Sequence, residues 1–374
     1  MSVRLAELTL AGFKTIKELR GFAPRPLSIL IGANGAGKSN FISFFSMLNR
    51  IISSPGELQL HVATQGGAGR FLHDGQQTTG EMEASLALET EAGRHEYTLR
   101  LAYASGDTLV FTQEKYRFAP HGNPTPPWID LGSGHRESML EARAEAQGRT
   151  AHTMRKLLGQ CVLYQFHDTS FTSRIRGKCF REDSRWLKKD AGNLAAFLRR
   201  LHDSSEVKDQ LAYQRIVDTT RLAMPFLADF VLEPENGSVL LRWREKGCDT
   251  LFDASQASDG MLRAMALVAL LGQPVEDLPP VLLLDEPELG LHPSAIELVA
   301  DLLKIVSDHV QVIVATQSAA LLDYFSPEDV VVVSRAGRES IFERKTSQEL
   351  GLWLEEYTLG EIWRKNLIGA GPGE

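Results

Sequence analysis

The nine residues GANGAGKSN, 32–40, constrain this chain more than any other stretch. They match G-x-x-x-x-G-K-[ST] and lie between the apolar run PLSILIG and the run GKSNFISFFSMLNRIISS, which reads as a helix ended by Ser-Pro-Gly. A buried strand, a glycine-rich loop and a helix in that order give the match its meaning. Gly32, Gly35 and Gly37 let the backbone curl so that its N–H groups point inward, where phosphate oxygens can accept from them. Lys38 supplies a point charge, Ser39 offers a hydroxyl to magnesium, and the start of the helix adds a favourable dipole. The loop, with Asn34, Ala36 and Asn40 in its frame, predicts a phosphate cradle.

A second stretch, VLLLDEPELGLHP at 281–293, completes the thought. Four apolar residues suit a buried strand, two acids follow at once, and Pro287 stops the chain from running on in a sheet. Carboxylates at the mouth of a buried strand are costly unless something there needs negative charge. Beside a phosphate loop, Asp285 is placed to help hold magnesium through its water shell. Glu286, one residue on, is placed to polarise a water attacking a γ-phosphate.

The flanking chain predicts an α/β fold. LAELTLAGF alternates as a strand does. EMEASLALET, HEYTLRLAY and TLVFTQEKYRF suggest an antiparallel meander, and HGNPTPPWIDLGSG reads as a loop and seam. Residues from about 136 to 225 are mostly helical in pattern, with one strand-like piece, CVLYQF. FVLEPENGSVLLRW holds two strand runs around Asn236-Gly237, a hairpin signal. After it, helix and strand patterns alternate through VLLLD, VQVIVAT and VVVVS, the mark of a parallel sheet covered by helices. The N-terminal strand must join that sheet from far away in sequence. The expected division is 1–120 for a lobe carrying the phosphate loop and meander, 121–225 for a mostly helical insertion, and 226–374 for a second lobe.

These motifs together resemble an ATP-binding-cassette (ABC) type ATPase head, a P-loop NTPase. Within that class the chain is most similar to the RecF/SMC-like group, and more narrowly to bacterial AAA-family ATPases that lack long coiled coils. Four pieces carry the likeness: GFKTIKELRGF…PLSILIGANGAGKSNF, SDGMLRAMALVALL, LLLDEPELGLHP and VIVATQSAALLDYF. It covers roughly residues 1–90 and 250–365, with the middle loosely matched. The resemblance implies ATP and Mg²⁺ as cofactors and two heads packed head to tail. Ser258, Asp259 and Gly260, at the start of the helix near Met261, would then donate to the γ-phosphate bound by the partner head. ELGLHP becomes a dimer-facing turn and Gln317 the switch residue, where many relatives carry His. A glutamine amide can still hydrogen-bond a phosphate oxygen or the attacking water but cannot act as an acid, so slow turnover is expected. A glutamine ligand for magnesium is also implied, with Gln165 in VLYQFHDTS favoured and Gln65 in HVATQGGAGRF as the rival. Lys14, in GFKTIK, matches a position near nucleotide phosphates in related heads, and a solvated surface lysine is the plainer reading.

The basic stretch RIRGKCFREDSRWLKKD, followed by Arg199 and Arg200 and interleaved with Phe180 and Trp186, suits a nucleic-acid backbone. A solvated helix face or a protein-docking surface fits it equally. The formal charge of −8 argues against a generally basic surface but not against a local patch. Three unpaired-looking cysteines fit a reducing compartment, no run reaches the length of a membrane span, and the N-terminus lacks a signal peptide, so a cytoplasmic location is expected. His292 reads as a turn residue and not as a zinc ligand, and TLGEIWRKN as a short helix packing Trp363. With roughly 57 residues after Gln317, an added nuclease domain is not expected. Two functions remain open: a RecF/SMC-like head acting on DNA as an ATP-driven dimer, and an ATP-sensing regulatory subunit of an anti-phage system controlling a separate effector.

Overall fold

The structure is a computed structural model and describes residues 3–368. The chain opens with β1 (Arg4–Phe13) and β2 (Ile16–Phe22), then enters β3 (Leu27–Ile31), the glycine loop and α1 (Lys38–Ile51). A short α2 (Glu57–Thr64) leads to β4 (Glu81–Thr90), β5 (Gly93–Ala104), β6 (Thr108–Pro120) and β7 (Ile129–Gly132). These strands form an antiparallel sheet of order β2-β1-β4-β5-β6-β7. Its last member lies inside the stretch 121–134 that sequence pattern reads as loop, and pairs with β6 at Glu114–Tyr116.

Helices α3 (Leu140–Gln147) and α4 (Arg149–Gly159) precede β8 (Cys161–Tyr164), and β9 (Cys179–Phe180), α5 (Leu194–Asp203) and α6 (Val207–Ala223) follow. Next come β10 (Leu227–Val231), β11 (Ser238–Val239), β12 (Arg242–Glu245) and β13 (Leu251–Asp253). The Asn236-Gly237 turn forms, with both residues at positive φ, and the runs on its two sides pair as a hairpin: Glu235 faces Ser238, and Val231 and Phe230 on β10 face Arg242 and Trp243 on β12. Within the returning run, β11 also pairs with β9. The turn chemistry was legible, while the pairing of β11 with the distant β9 is set by tertiary packing, which a local motif does not encode.

The last third contains α7 (Asp259–Gly272), β14 (Val281–Asp285), α8 (Pro293–Ser307), β15 (Gln311–Thr316) and α9 (Ala319–Leu322). It ends with β16 (Val330–Ala336), β17 (Glu339–Arg344), α10 (Ser347–Glu356) and α11 (Leu359–Arg364). A second sheet has the order β17-β16-β3-β15-β14-β8, parallel except for β17. Such a sheet is covered on both faces, which is why its strands read as unbroken Val/Ile/Leu runs. Leu30, Leu283, Ile313 and Val331 pack towards α1 and the antiparallel sheet. Ile29, Leu282, Leu284 and Val314 pack towards α7 and α8. The two sheets are stapled by the buried Gln311 side chain, which accepts from Leu5 N–H (2.7 Å) and donates to Leu5 O (3.1 Å). No helix among the described residues is long and apolar enough to cross a membrane.

Candidate functional site

Parallel strands bring their C-terminal ends to one edge of a sheet, and here that edge collects the motifs. Asp285, ending β14, pairs in register with Ala315 on β15, and Ala315 with Leu30 on β3. The glycine loop leaves β3 one residue past Ile31, and Gln317 leaves β15 one residue past Thr316. Segments more than 250 residues apart in sequence therefore open at the same level of the sheet.

The loop adopts the curl that its glycines permit. Gly35 and Gly37 have φ of 80° and 119°. A Cβ on Gly37 would overlap Ser340 Oγ, so this position needs glycine for space as well as for backbone angle. Asn40 Nδ2 and Ser340 Oγ both donate to Thr15 Oγ1, each at 2.7 Å, fixing the loop's outer wall. Lys38 is buried and donates from Nζ to Gly32 O (2.6 Å) and Ala33 O (3.1 Å). Burial pulls its pKa below the ordinary lysine value, while Glu286, Asp285 and Glu288 pull the other way. Ser39 is exposed at the start of α1. Lys14 sends its ammonium to Ser43 Oγ (2.8 Å), one helical turn beyond Ser39, and between the rings of Phe13 and Phe71. Burial lowers its pKa as well.

Across the sheet edge, Asp285 is nearly buried. Gln165 Nε2 donates to its Oδ2 at 2.9 Å, a contact spanning 120 residues of sequence. It arises because β8, carrying Gln165 at its end, pairs directly with β14. Gln65, the rival, ends α2, where its backbone N–H donates to His61 O. His167 Nε2 bonds the Asp285 carbonyl at 2.9 Å, and Asp168 closes a local turn onto Ser170. Glu286 has φ of 42°, a conformation non-glycine residues seldom adopt, and its N–H donates to Ala315 O at 2.7 Å. Strain of this kind concentrates at functional sites.

Ser258 caps α7, its Oγ accepting from Met261 N–H, and Ser258 and Asp259 are exposed. Two arginines hold this helix start in place. Arg263 donates to Phe166 O, His167 O and Leu289 O, joining α7 to the segment after Gln165 and to the turn after Glu286. Arg176, only 7% exposed, donates to Thr169 O, Ala254 O, Ala257 O and Asp259 Oδ1. That last bond holds the Asp259 carboxyl below its usual range.

The stretch 174–200 therefore does not form one basic surface. Arg176 faces inward, Arg200 pairs with Asp209 and Asp277, and Arg199 with Asp203. Lys188 pairs with Asp183 and Lys178 with Glu235. Phe180 and Trp186 are exposed. His292 caps α8 through Ser294, and Trp363 is buried in the core. Among the described residues no group of three or more His, Cys, Asp or Glu could hold a metal ion.

Sequence reasoning missed Glu288, Arg263, Thr15 and Ser340. Glu288 is 7% exposed, accepts a short hydrogen bond from Thr316 Oγ1 and has no partner for Oε2. Burial pushes its pKa up to about 7, the Thr316 bond opposes, and Glu286 and Asp285 add to the rise. The signal that could have exposed it is the run of three acids in four positions after a buried strand, too dense to be left to solvent.

The fold is that of an SMC-like P-loop ATPase head. Among solved structures, the chain is similar to an Smc head bound to the C-winged helix domain of ScpA, with 15% identity, 93% of this chain and 99% of that one covered, and a TM-score of 0.59. It is equally similar in fold to a Pyrococcus furiosus Smc head with an extended coiled coil bound to the C-terminal domain of ScpA (14% identity, 95% and 99% covered, TM-score 0.59). Old nuclease of Escherichia phage P2 is 23% identical over 379 residues, covering 94% of this chain but 62% of that relative's length. Residues 27–323 match the family described as "AAA domain, putative AbiEii toxin, Type IV TA system", and the chain belongs to it.

Proposed function

We propose that this chain binds MgATP, hydrolyses it slowly, and uses ATP-driven pairing of two heads as a switch. The observation that carries the reading is the common sheet edge at which the glycine loop, Asp285 with Gln165, Glu286 and Gln317 all open. The residues fit the nucleotide and its metal. The loop is held open by glycines where a Cβ would collide, and the carboxylate opposite has an amide already aligned on it. Gly32, Asn34, Gly35, Ala36, Gly37 and Lys38 would hold the phosphates, with Asn40 bracing the loop through Thr15. Ser39, Asp285 and Gln165 would hold the magnesium, which supplies charge neutralisation when bound.

Glu286 then orients the attacking water and takes its proton, and Gln317 holds that water or a phosphate oxygen through a neutral amide. Lys38, freed from two loop carbonyls, stabilises charge on the phosphates. Ser258, Asp259 and Gly260 serve the nucleotide of a second head, consistent with their exposure and with the arginine clamps behind them. Sedimentation of Glu286→Gln with and without MgATP tests the switch: a dimer only with ATP supports it, and a monomer at saturating ATP removes it.

The switch is proposed to act on DNA, in the manner of a maintenance clamp, and the nuclease relative's name agrees with a DNA-directed role. A second reading, an ATP-sensing subunit that controls a separate toxin or nuclease, is favoured by the ion pairs that engage Lys178, Lys188, Arg199 and Arg200. DNA-stimulated hydrolysis supports the first, and its absence with ATP-dependent binding of a co-encoded effector supports the second.

A further inference from the structure

The helix start, the acid turn and the switch segment are joined by direct contacts. Gly260 and Gly290 lie so close that a Cβ on Gly260 would overlap the Gly290 carbonyl, and Arg263 Nη1 donates to Leu289 O at 3.1 Å. The start of α7 and the turn 286–291 are therefore in direct contact, the turn being braced internally by Leu289 N–H to Glu286 O and Leu291 N–H to Glu288 O. From inside that turn the Glu288 carboxyl reaches β15. Thr316 Oγ1 has one proton, and it goes to Glu288 Oε1, which leaves the oxygen's lone pairs to accept from Ser318 N–H at 2.9 Å. The two bonds straddle Gln317 and set the direction in which its backbone leaves the sheet. Ser318 in turn caps α9, accepting from Leu321 N–H at 3.1 Å.

We propose that Glu288 is a positioning residue: its buried carboxyl, through Thr316, latches the turn behind the α7 helix start to the switch segment and so sets where Gln317 stands. The inference deepens the ATPase reading and rests on it for its catalytic consequence, but the latch itself is a property of the nucleotide-free fold. A carboxyl at a protein surface would give such a latch little hold. This one is buried with a single donor on one oxygen, so breaking the bond strands a polar group away from water. Two carboxylates of the proposed active site, Asp285 and Glu286, are its electrostatic neighbours, and its charge reaches Lys38.

Four variants separate a latch from mere packing. Thr316→Val keeps shape and loses the hydroxyl, and Thr316→Ser restores it. Glu288→Met removes the acceptor, and Glu288→Gln keeps an amide oxygen for it. Hydrogen exchange of nucleotide-free protein is read over 286–291 and 316–322, and kcat and ATP affinity are measured alongside. Thr316→Val and Glu288→Met are expected to speed exchange in both segments and lower kcat about tenfold or more, with ATP affinity within about threefold of wild type. Thr316→Ser is expected to behave as wild type, Glu288→Gln to stay closer to wild type than Glu288→Met in both readouts, and the Val/Met double variant to be no worse than either single one. Unchanged exchange in Thr316→Val, or in Glu288→Met should the first not fold, overturns the latch. Faster exchange with unchanged kcat overturns the positioning role. A wild type that shows no hydrolysis defeats the ATPase reading instead, and the exchange result still decides the latch.

Discussion

Replacing Glu288 with glutamine should make the nucleotide-free protein more stable than wild type at alkaline pH and not at acid pH. Burial lifts this carboxyl from an ordinary value near 4.5 to about 7. A group whose folded pKa lies above its unfolded pKa binds more protons folded than unfolded between the two values, so stability falls as pH rises through that window. Each tenfold change in proton affinity is worth about 1.4 kcal/mol, so ionised Glu288 costs the fold about 3 kcal/mol above pH 7 and nothing below pH 4.5. Glutamine keeps the acceptor for Thr316 and cannot ionise. Its NH₂ group, placed where Oε2 has no partner, adds a penalty that does not vary with pH. The neighbouring groups Asp285, Glu286, Lys38 and Thr316 are the same in both proteins. Denaturant unfolding of the two proteins without Mg²⁺ or nucleotide, at steps from pH 4.5 to 8, should show their difference shifting by up to about 3 kcal/mol in favour of the variant. A difference that stays constant across this range would refute the reasoning.

Glu286→Gln should bind ATP as wild type does and lose at least about 100-fold in single-turnover hydrolysis, because the base goes while the site stays. Arg176→Met should lower stability by about 3 kcal/mol in chemical unfolding, since it strips four acceptors of an almost fully buried donor. The same variant should weaken ATP-driven dimerisation more than ATP binding. Gly37→Ala forces a side chain into φ of 119° and against Ser340, and should weaken ATP binding about tenfold or more by calorimetry.

What could be read from the sequence followed from residues whose local pattern decides their environment. The runs at 27–31, 281–285 and 311–316 are buried throughout, so an apolar run implied a core strand without knowledge of its neighbours. The glycine loop was legible because its backbone angles demand glycine. Where tertiary pairing decides, the pattern was silent. Gln165 and Gln65 both follow short structured runs, and only the pairing of β8 with β14 puts one of them on Asp285. The strand Ile129–Gly132 sits in a proline-rich stretch, and nothing local announces that β9 pairs with β11 of the predicted hairpin. Arg176 and Glu288 carry surface-type side chains into the interior because backbone carbonyls and Thr316 meet them there. The ion-pair partners of the basic stretch were hidden for the same reason, several of its acids arriving from 203, 209, 235 and 277.

Equilibrium binding of ATP to the Glu286→Gln protein, titrated by calorimetry with and without Mg²⁺ and repeated in a background carrying Lys38→Ala, goes to the centre of the account. One saturable ATP per chain, tightened by Mg²⁺ and abolished by the loss of Lys38, is the expected result. Absence of binding with Mg²⁺ present, or binding that does not change when Lys38 is removed, would contradict it.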